Sequence, residues 1–222
     1  MVSTDTVFKN TITNIDSYNS ATKIGAKIIS YIFHPLFIPV YVILFLIYEV
    51  RIFPDRDDWQ QKLVVIQFAV SYTLLPLVTI LLMKALGFIQ SIHLKIRRDR
   101  ILPFVVCEVF YFWAWYVSYK LPYPKLIIMF TLAVFLACSL GLLFNAYMKI
   151  SMHGISVGVL SAFMLLAALN TNVAFGVYIA IAFLIAGLTS TARLIDSDHT
   201  TNEIYAGLFV GAFMQLVAYQ FV

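Results

Sequence analysis

The sequence predicts an all-α polytopic transmembrane helical bundle of six to seven spans, on three observations. The 222 residues are 62% hydrophobic and 12% charged, with a mean hydropathy of +0.90, which leaves too little polar surface for a soluble domain of this size. The apolar residues gather into seven segments, each near the ~20 residues that a helix needs to cross a hydrocarbon core. None of the segments alternates apolar with polar residues, as the strands of a membrane barrel do. Helices satisfy their own backbone hydrogen bonds in lipid, so they are the spanning element.

The segments run 28–50, 63–88, 101–119, 124–148, 154–170, 173–192 and 204–222. The first contains His34, Pro35 and Pro39. Proline removes a helical N–H and clashes with the preceding turn, so this segment is expected to be kinked or partly re-entrant. Residues 1–27 read as a polar N-terminal tail rich in Ser, Thr and Asn. The tail has no short apolar run ending in a small-residue cleavage site, which argues against a cleaved signal peptide. Residues 28–222 read as a single transmembrane domain, without a long linker or a clear repeat. Loop 51–62 carries Asp55, Arg56, Asp57 and Asp58, residues 120–125 make a tight turn with Pro122 and Pro124, and 170–172 joins a helical hairpin. Cys107 and Cys138 fall inside apolar stretches and read as small hydrophobes.

Three polar stations remain, at 95–103, 149–154 and 193–203, following the second, fourth and sixth segments. Two crossings separate each station from the next, so all three lie on one membrane face. The first holds Lys95, Arg97, Arg98 and Arg100, a focused positive field that attracts an anion. Such a cluster also serves to set topology or to touch anionic head groups. The other basic residues are scattered, so the net charge of +4 does not point to nucleic acid.

The second station places Ser151, His153 and Gly154 just ahead of a helix. A helix N-terminus offers unpaired N–H groups to an anion, and Ser151 is equally a capping residue. In the third station Arg193 ends the sixth segment and His199 opens the seventh. If 199–203 is helical, His199 and Glu203 share a face at i,i+4 spacing. A carboxylate there fixes one imidazole nitrogen as N–H and leaves the other free to attack. Asp196, Asp198, His199 and Glu203 have also the ligand types of a Mg, Mn or Zn site, although Arg193 would repel the cation.

The order of these motifs resembles the type 2 phosphatidic acid phosphatase family, of the vanadium haloperoxidase superfamily. The family's third motif, Ser-Arg-x5-His-x3-Asp, is similar to Ala192, Arg193, His199 and Glu203, and Ile204-Tyr205-Ala206-Gly207 looks like its usual continuation. The second motif, Pro-Ser-Gly-His, is matched in part by Ser151 and His153, with the Pro and central Gly replaced. The first, Lys-x6-Arg-Pro, is degenerate: Arg100 stands three positions before Pro103, and Lys95 is two residues out of register. The resemblance covers about the last 120 residues, where it implies the family's helical core.

The resemblance implies a metal-independent, cofactor-free phosphatase acting on a lipid phosphate. Lys95, Arg100 and Arg193 would bind the phosphate with Ser151 and the Gly154 N–H. His199 would be the nucleophile that forms a phosphohistidine, Glu203 its orienting carboxylate, and His153 the acid on the leaving lipid oxygen. Phosphatidate, phosphatidylglycerophosphate, polyprenyl diphosphate and lipid A phosphates are all compatible substrates. The partners are thus the bilayer and a lipid phosphate, and the expected location is a bacterial inner membrane. Ten of the 15 Lys and Arg residues lie on the station side, which favours a cytoplasmic site, whereas the resemblance implies an exterior one. A non-catalytic lipid-phosphate-binding or transport relative is the other reading. In it, Glu108 in the third segment marks a polar pathway or pairs with a cation.

Overall fold

The computed structural model describes residues 18–89, 100–171, 173–196 and 199–222. The described residues form helices and no strand. In chain order these are α1 (Ser20–Ile32), α2 (Ile38–Tyr48), α3 (Asp58–Ala85), α4 (Ile101–Lys120), α5 (Lys125–Tyr147), α6 (Met152–Leu169), α7 (Gly176–Ile195) and α8 (Thr201–Phe221). The last six are long and apolar enough to cross a membrane, and large apolar side chains such as Leu82, Val109, Trp113, Leu184, Phe209 and Phe213 stand exposed along them. A surface of this kind is stable only in hydrocarbon. The protein is an integral membrane helical bundle.

The first apolar segment is broken. Phe33 closes α1 by donating its N–H to Ile29 O, and Pro35 follows without an N–H to offer. The chain turns through 33–37, with Phe37 N bonded to His34 O, and restarts as α2 with Pro39 in its first turn. At ~1.5 Å per residue the 11 residues of α2 measure about 16 Å, roughly half the hydrocarbon thickness. α2 is therefore too short to cross the hydrocarbon as a helix. His34 lies at one end of the bundle, against His153 in the first turn of α6. At the other end Glu49 accepts from the Tyr178 hydroxyl of α7 at 2.7 Å, and Phe53 packs on Tyr123 in the turn between α4 and α5.

Local sequence explains several element boundaries. Asp57 and Gln60 form a reciprocal capping box that starts α3. Within α3 a π turn at Val70–Leu74 precedes Pro76, absorbing the hydrogen bond that proline cannot make. Residues 20–27, read from sequence as tail, belong to α1, which packs on α7. Its small residues Ala26 and Ser30 are buried, while the larger Ile24, Ile28 and Tyr31 are exposed. The connection after α6 is longer than the expected 170–172: Asn170 caps α6 and α7 begins only at Gly176.

The core runs through α2, α4, α5, α6 and α8, with Phe104, Phe130 and Phe163 almost wholly buried. Cys107 and Cys138 are free and buried there, as small hydrophobes. Glu108 accepts from the Ser139 hydroxyl at 2.7 Å, so its described partner is a hydroxyl and not a cation.

The closest packing is between α6 and α8. Gly154 and Gly158 on α6 face Gly207 and Gly211 on α8, and every one of the four lies where a side chain has no room. A carbon added to Gly207 would lie 2.6 Å from Ser151 O, and one on Gly154 would lie 2.8 Å from Ile204 O. Added carbons on Gly158 and Gly211 would press still harder, on Leu208 O and Ile155 O. Small residues four apart on both helices let the backbones touch, which is how helices associate tightly in lipid.

Gly211→Ala and Gly158→Ala should each push the two backbones apart and destabilise the fold by about 1–3 kcal/mol. Gly187→Ala, where nothing lies within 4 Å, is the control and should be neutral or slightly stabilising. Thermal unfolding of the three variants in one detergent checks the contrast; equal midpoints for Gly211→Ala and Gly187→Ala would contradict the close crossing.

Candidate functional site

At the end of the bundle where α6 and α8 begin and α7 ends, the stations meet. Ser151 donates its N–H to Glu203 O at 3.2 Å, a backbone bond that joins the second station to the third. Arg100 is buried and donates from Nη1 to Ile150 O at 2.9 Å, tying the end of the first station to the second. The same-face placement expected from counting segments is thus realised as direct contact. Lys95, Arg97 and Arg98 lie outside the described residues, as does Asp198.

His199 and Glu203 pair, but through a helix cap rather than a helical turn. α8 starts at Thr201 and Thr200 is its N-cap. The Glu203 N–H donates to Thr200 Oγ1, and the Thr200 N–H donates to Glu203 Oε2 at 3.2 Å, the reciprocal bonds of a capping box. His199 stands just before the cap and reaches the same Oε2 with Nδ1 at 2.8 Å. A carboxylate oxygen only accepts, so Nδ1 carries the hydrogen and Nε2 presents a lone pair. The His199 side chain is 4% exposed. Burial holds its pKa down from 6.5 to about 4; the Glu203 hydrogen bond opposes that shift, and the charges of Arg100, Lys149 and Arg193 add to it. At neutral pH the ring is a neutral base inside a cationic field.

His153, in the first turn of α6, faces a different neighbour. Its Nε2 lies 3.1 Å from the Ser30 carbonyl of α1, which fixes the hydrogen on Nε2. Arg193, in the last turn of α7, is buried and donates from Nη1 to Asp196 Oδ2 at 3.3 Å and to Ser30 Oγ at 3.4 Å. His153 also lies within electrostatic reach of Arg193 and His199. His153, Arg193, His199 and Glu203 are therefore brought together. Ser151 and Gly154 are engaged otherwise: Ser151 is fully buried and its hydroxyl caps α6 by accepting from the Gly154 N–H at 3.2 Å. The Gly154 N–H expected to meet phosphate makes this cap instead, because Gly154 is the third residue of α6, whose N–H an N-cap hydroxyl accepts.

Two residues of this site escape a reading based on the stations. Ser30 touches both His153 and Arg193, and the His34 ring packs edge-on against His153 with centroids 5.2 Å apart. Both come from the broken first segment, where the pair His34-Pro35 marks a break but does not announce a site. As for a carboxylate-metal site, Asp196 is turned to Arg193. Among the described residues no three His, Cys, Asp or Glu side chains converge as ligands. Comparison of the chain with protein-family models, with curated proteins and with solved structures returns no match in any of the three.

Side-chain nitrogen NMR should find His199 neutral at pH 6, hydrogen on Nδ1, and taking up a proton only near pH 4. Because that value lies below the unfolded 6.5, the ring's contribution to stability is complete above pH 6.5 and is lost as pH falls from 6.5 toward 4. Glu203→Gln removes the bond that favours the charged ring and should lower the titration further. A His199 that titrates near 6.5 would place the ring in solvent.

Proposed function

We propose that the protein is a lipid phosphate phosphatase of the type 2 phosphatidic acid phosphatase kind, working through a phosphohistidine. The observation that carries this reading is the neutral His199, held by Glu203 at 2.8 Å within the field of Arg100, Lys149 and Arg193. A nucleophile with a fixed lone pair, ringed by cations, suits phosphoryl transfer, whose transition state is loose and anionic.

In this reading His199 Nε2 attacks phosphorus in line. The N–P bond forms as the bond from phosphorus to the lipid oxygen breaks, and Glu203 balances the charge that develops on the ring. The leaving oxygen takes a proton from His153 in its imidazolium form, the second hydrogen standing on Nδ1 because Nε2–H is held by Ser30 O. Water then attacks the phosphohistidine, gives its proton back to His153, and releases phosphate while His199 recovers its lone pair. Arg193 holds the equatorial oxygens, and Lys95 is assigned the same work by motif position. Arg100 acts from behind, bracing the 149–151 backbone through Ile150 O. The substrate's bulk lies in the bilayer, in keeping with a chain that has so little polar surface.

One observation favours a second reading, a relative that binds lipid phosphate without cleaving it. The ring N–H of His153 and one Nη of Arg193 are both held by Ser30, so the acid and a phosphate ligand are occupied by the protein itself.

Purified protein in detergent, offered phosphatidate, phosphatidylglycerophosphate and a polyprenyl diphosphate, should release phosphate from at least one. His199→Ala should lower turnover by on the order of 10³-fold or more. His153→Ala should be slow and accumulate a phosphoenzyme. Vanadate should inhibit by imitating five-coordinate phosphorus, and EDTA should leave the rate largely intact. Near wild-type turnover in His199→Ala would refute the assignment, and binding of every lipid phosphate without release would select the second reading.

A further inference from the structure

The broken segment ahead of α2 puts a third histidine beside the two that the phosphatase reading uses. His34 sits between α1 and α2, where Pro35 interrupts the helix. Its Nδ1 accepts the Leu36 N–H at 3.3 Å, so the ring hydrogen belongs on the other nitrogen, Nε2. The ring lies edge-on against His153 at 5.2 Å between centroids and within electrostatic reach of Arg193. Phe37 also packs edge-on against it, at 6.1 Å between centroids, so two aromatic rings restrict the imidazole. The ring N–H of His153 is taken by Ser30 O, whereas His34 Nε2 has no hydrogen-bond partner among the described residues.

We propose that His34 is a phosphate-binding residue of this site, its Nε2–H donating to a non-bridging oxygen of the phosphoryl group that Arg193 and His199 receive. The proposal rests on the phosphatase or phosphate-binding reading of the site and extends it to an element outside the recognisable motifs. A neutral imidazole suits this work: it supplies a directed donor without adding charge that would oppose protonation of His153. The broken helix supplies the rigidity, since a donor contributes most when its orientation is fixed before the ligand arrives.

Two substitutions separate this role from a purely structural one at the turn. His34→Asn keeps an acceptor where Nδ1 stands, for the Leu36 N–H, but removes the far donor. His34→Gln gives up that acceptor and places an amide N–H near the Nε2 position. Binding of vanadate and of inorganic phosphate to the full-length detergent-solubilised protein is measured for wild type and both variants, alongside phosphate release from phosphatidate. Each sample is first checked for a monodisperse elution profile. His34→Asn should weaken vanadate binding about tenfold or more, as loss of a hydrogen bond to a charged group does, with His34→Gln close to wild type. Wild-type binding by His34→Asn overturns the proposal, as does equal loss in both variants, because glutamine retains the donor. Wild type that binds no vanadate and releases no phosphate removes the site reading and this inference together. Wild type that binds vanadate without releasing phosphate, with His34→Asn weakened, keeps His34 in the site and rejects hydrolysis alone.

Discussion

Contact between the backbones of α6 and α8 governs the geometry of everything at the site end. Gly154 and Gly158 meet Gly207 and Gly211 with no space for even one carbon between the helices. That crossing fixes where α6 and α8 begin relative to one another, and the Ser151 N–H to Glu203 O bond locks the two starting turns together. His153 is one residue into α6 and His199 two residues ahead of α8. Their separation is thus set by backbone packing and not by flexible side chains. Such placement is what chemistry between two groups demands, since a displacement of about 1 Å can cost a hundredfold in rate.

The same crossing explains why the helix caps carry so much of the site. Caps satisfy N–H groups that would otherwise be stranded at a buried helix start. Ser151 does this for α6, and Thr200 with Glu203 does it for α8. Glu203 serves twice through one oxygen, closing the cap and fixing the His199 tautomer. Glutamate has the length for both tasks, because it reaches back over the first turn as the capping box requires.

Charge and burial act together on His199. Burial disfavours the imidazolium, and three nearby cations disfavour it further, so the ring stays neutral while Glu203 keeps its orientation. The N-terminal chain completes the enclosure: Ser30 engages His153 and Arg193, and His34 packs on His153. A charged arginine buried near a membrane face is stable only with such partners, and Asp196 and Ser30 supply them.

The sequence by itself determined the solvent, the helical class and the grouping of the polar stations on one face. Apolar segments of spanning length and the count of crossings are properties of a single chain, and lipid allows them only one kind of solution. The pairing of His199 with Glu203 was legible too, since their spacing limits how far apart they can lie. The glycines at 154, 158, 207 and 211 stand in the sequence at a meaningful spacing, yet spacing alone does not say which helix a glycine faces. Tertiary structure decided that α6 and α8 are partners, that Arg100 reaches the Ile150 carbonyl, and that Ser151 closes a cap. It also drew Ser30 and His34 into the site, across more than 100 positions of chain from His153 and Arg193. No local pattern encodes that contact, because it follows from how α1 lies on α7 and where Pro35 breaks the helix, and packing geometry of that kind exists only once the bundle has closed.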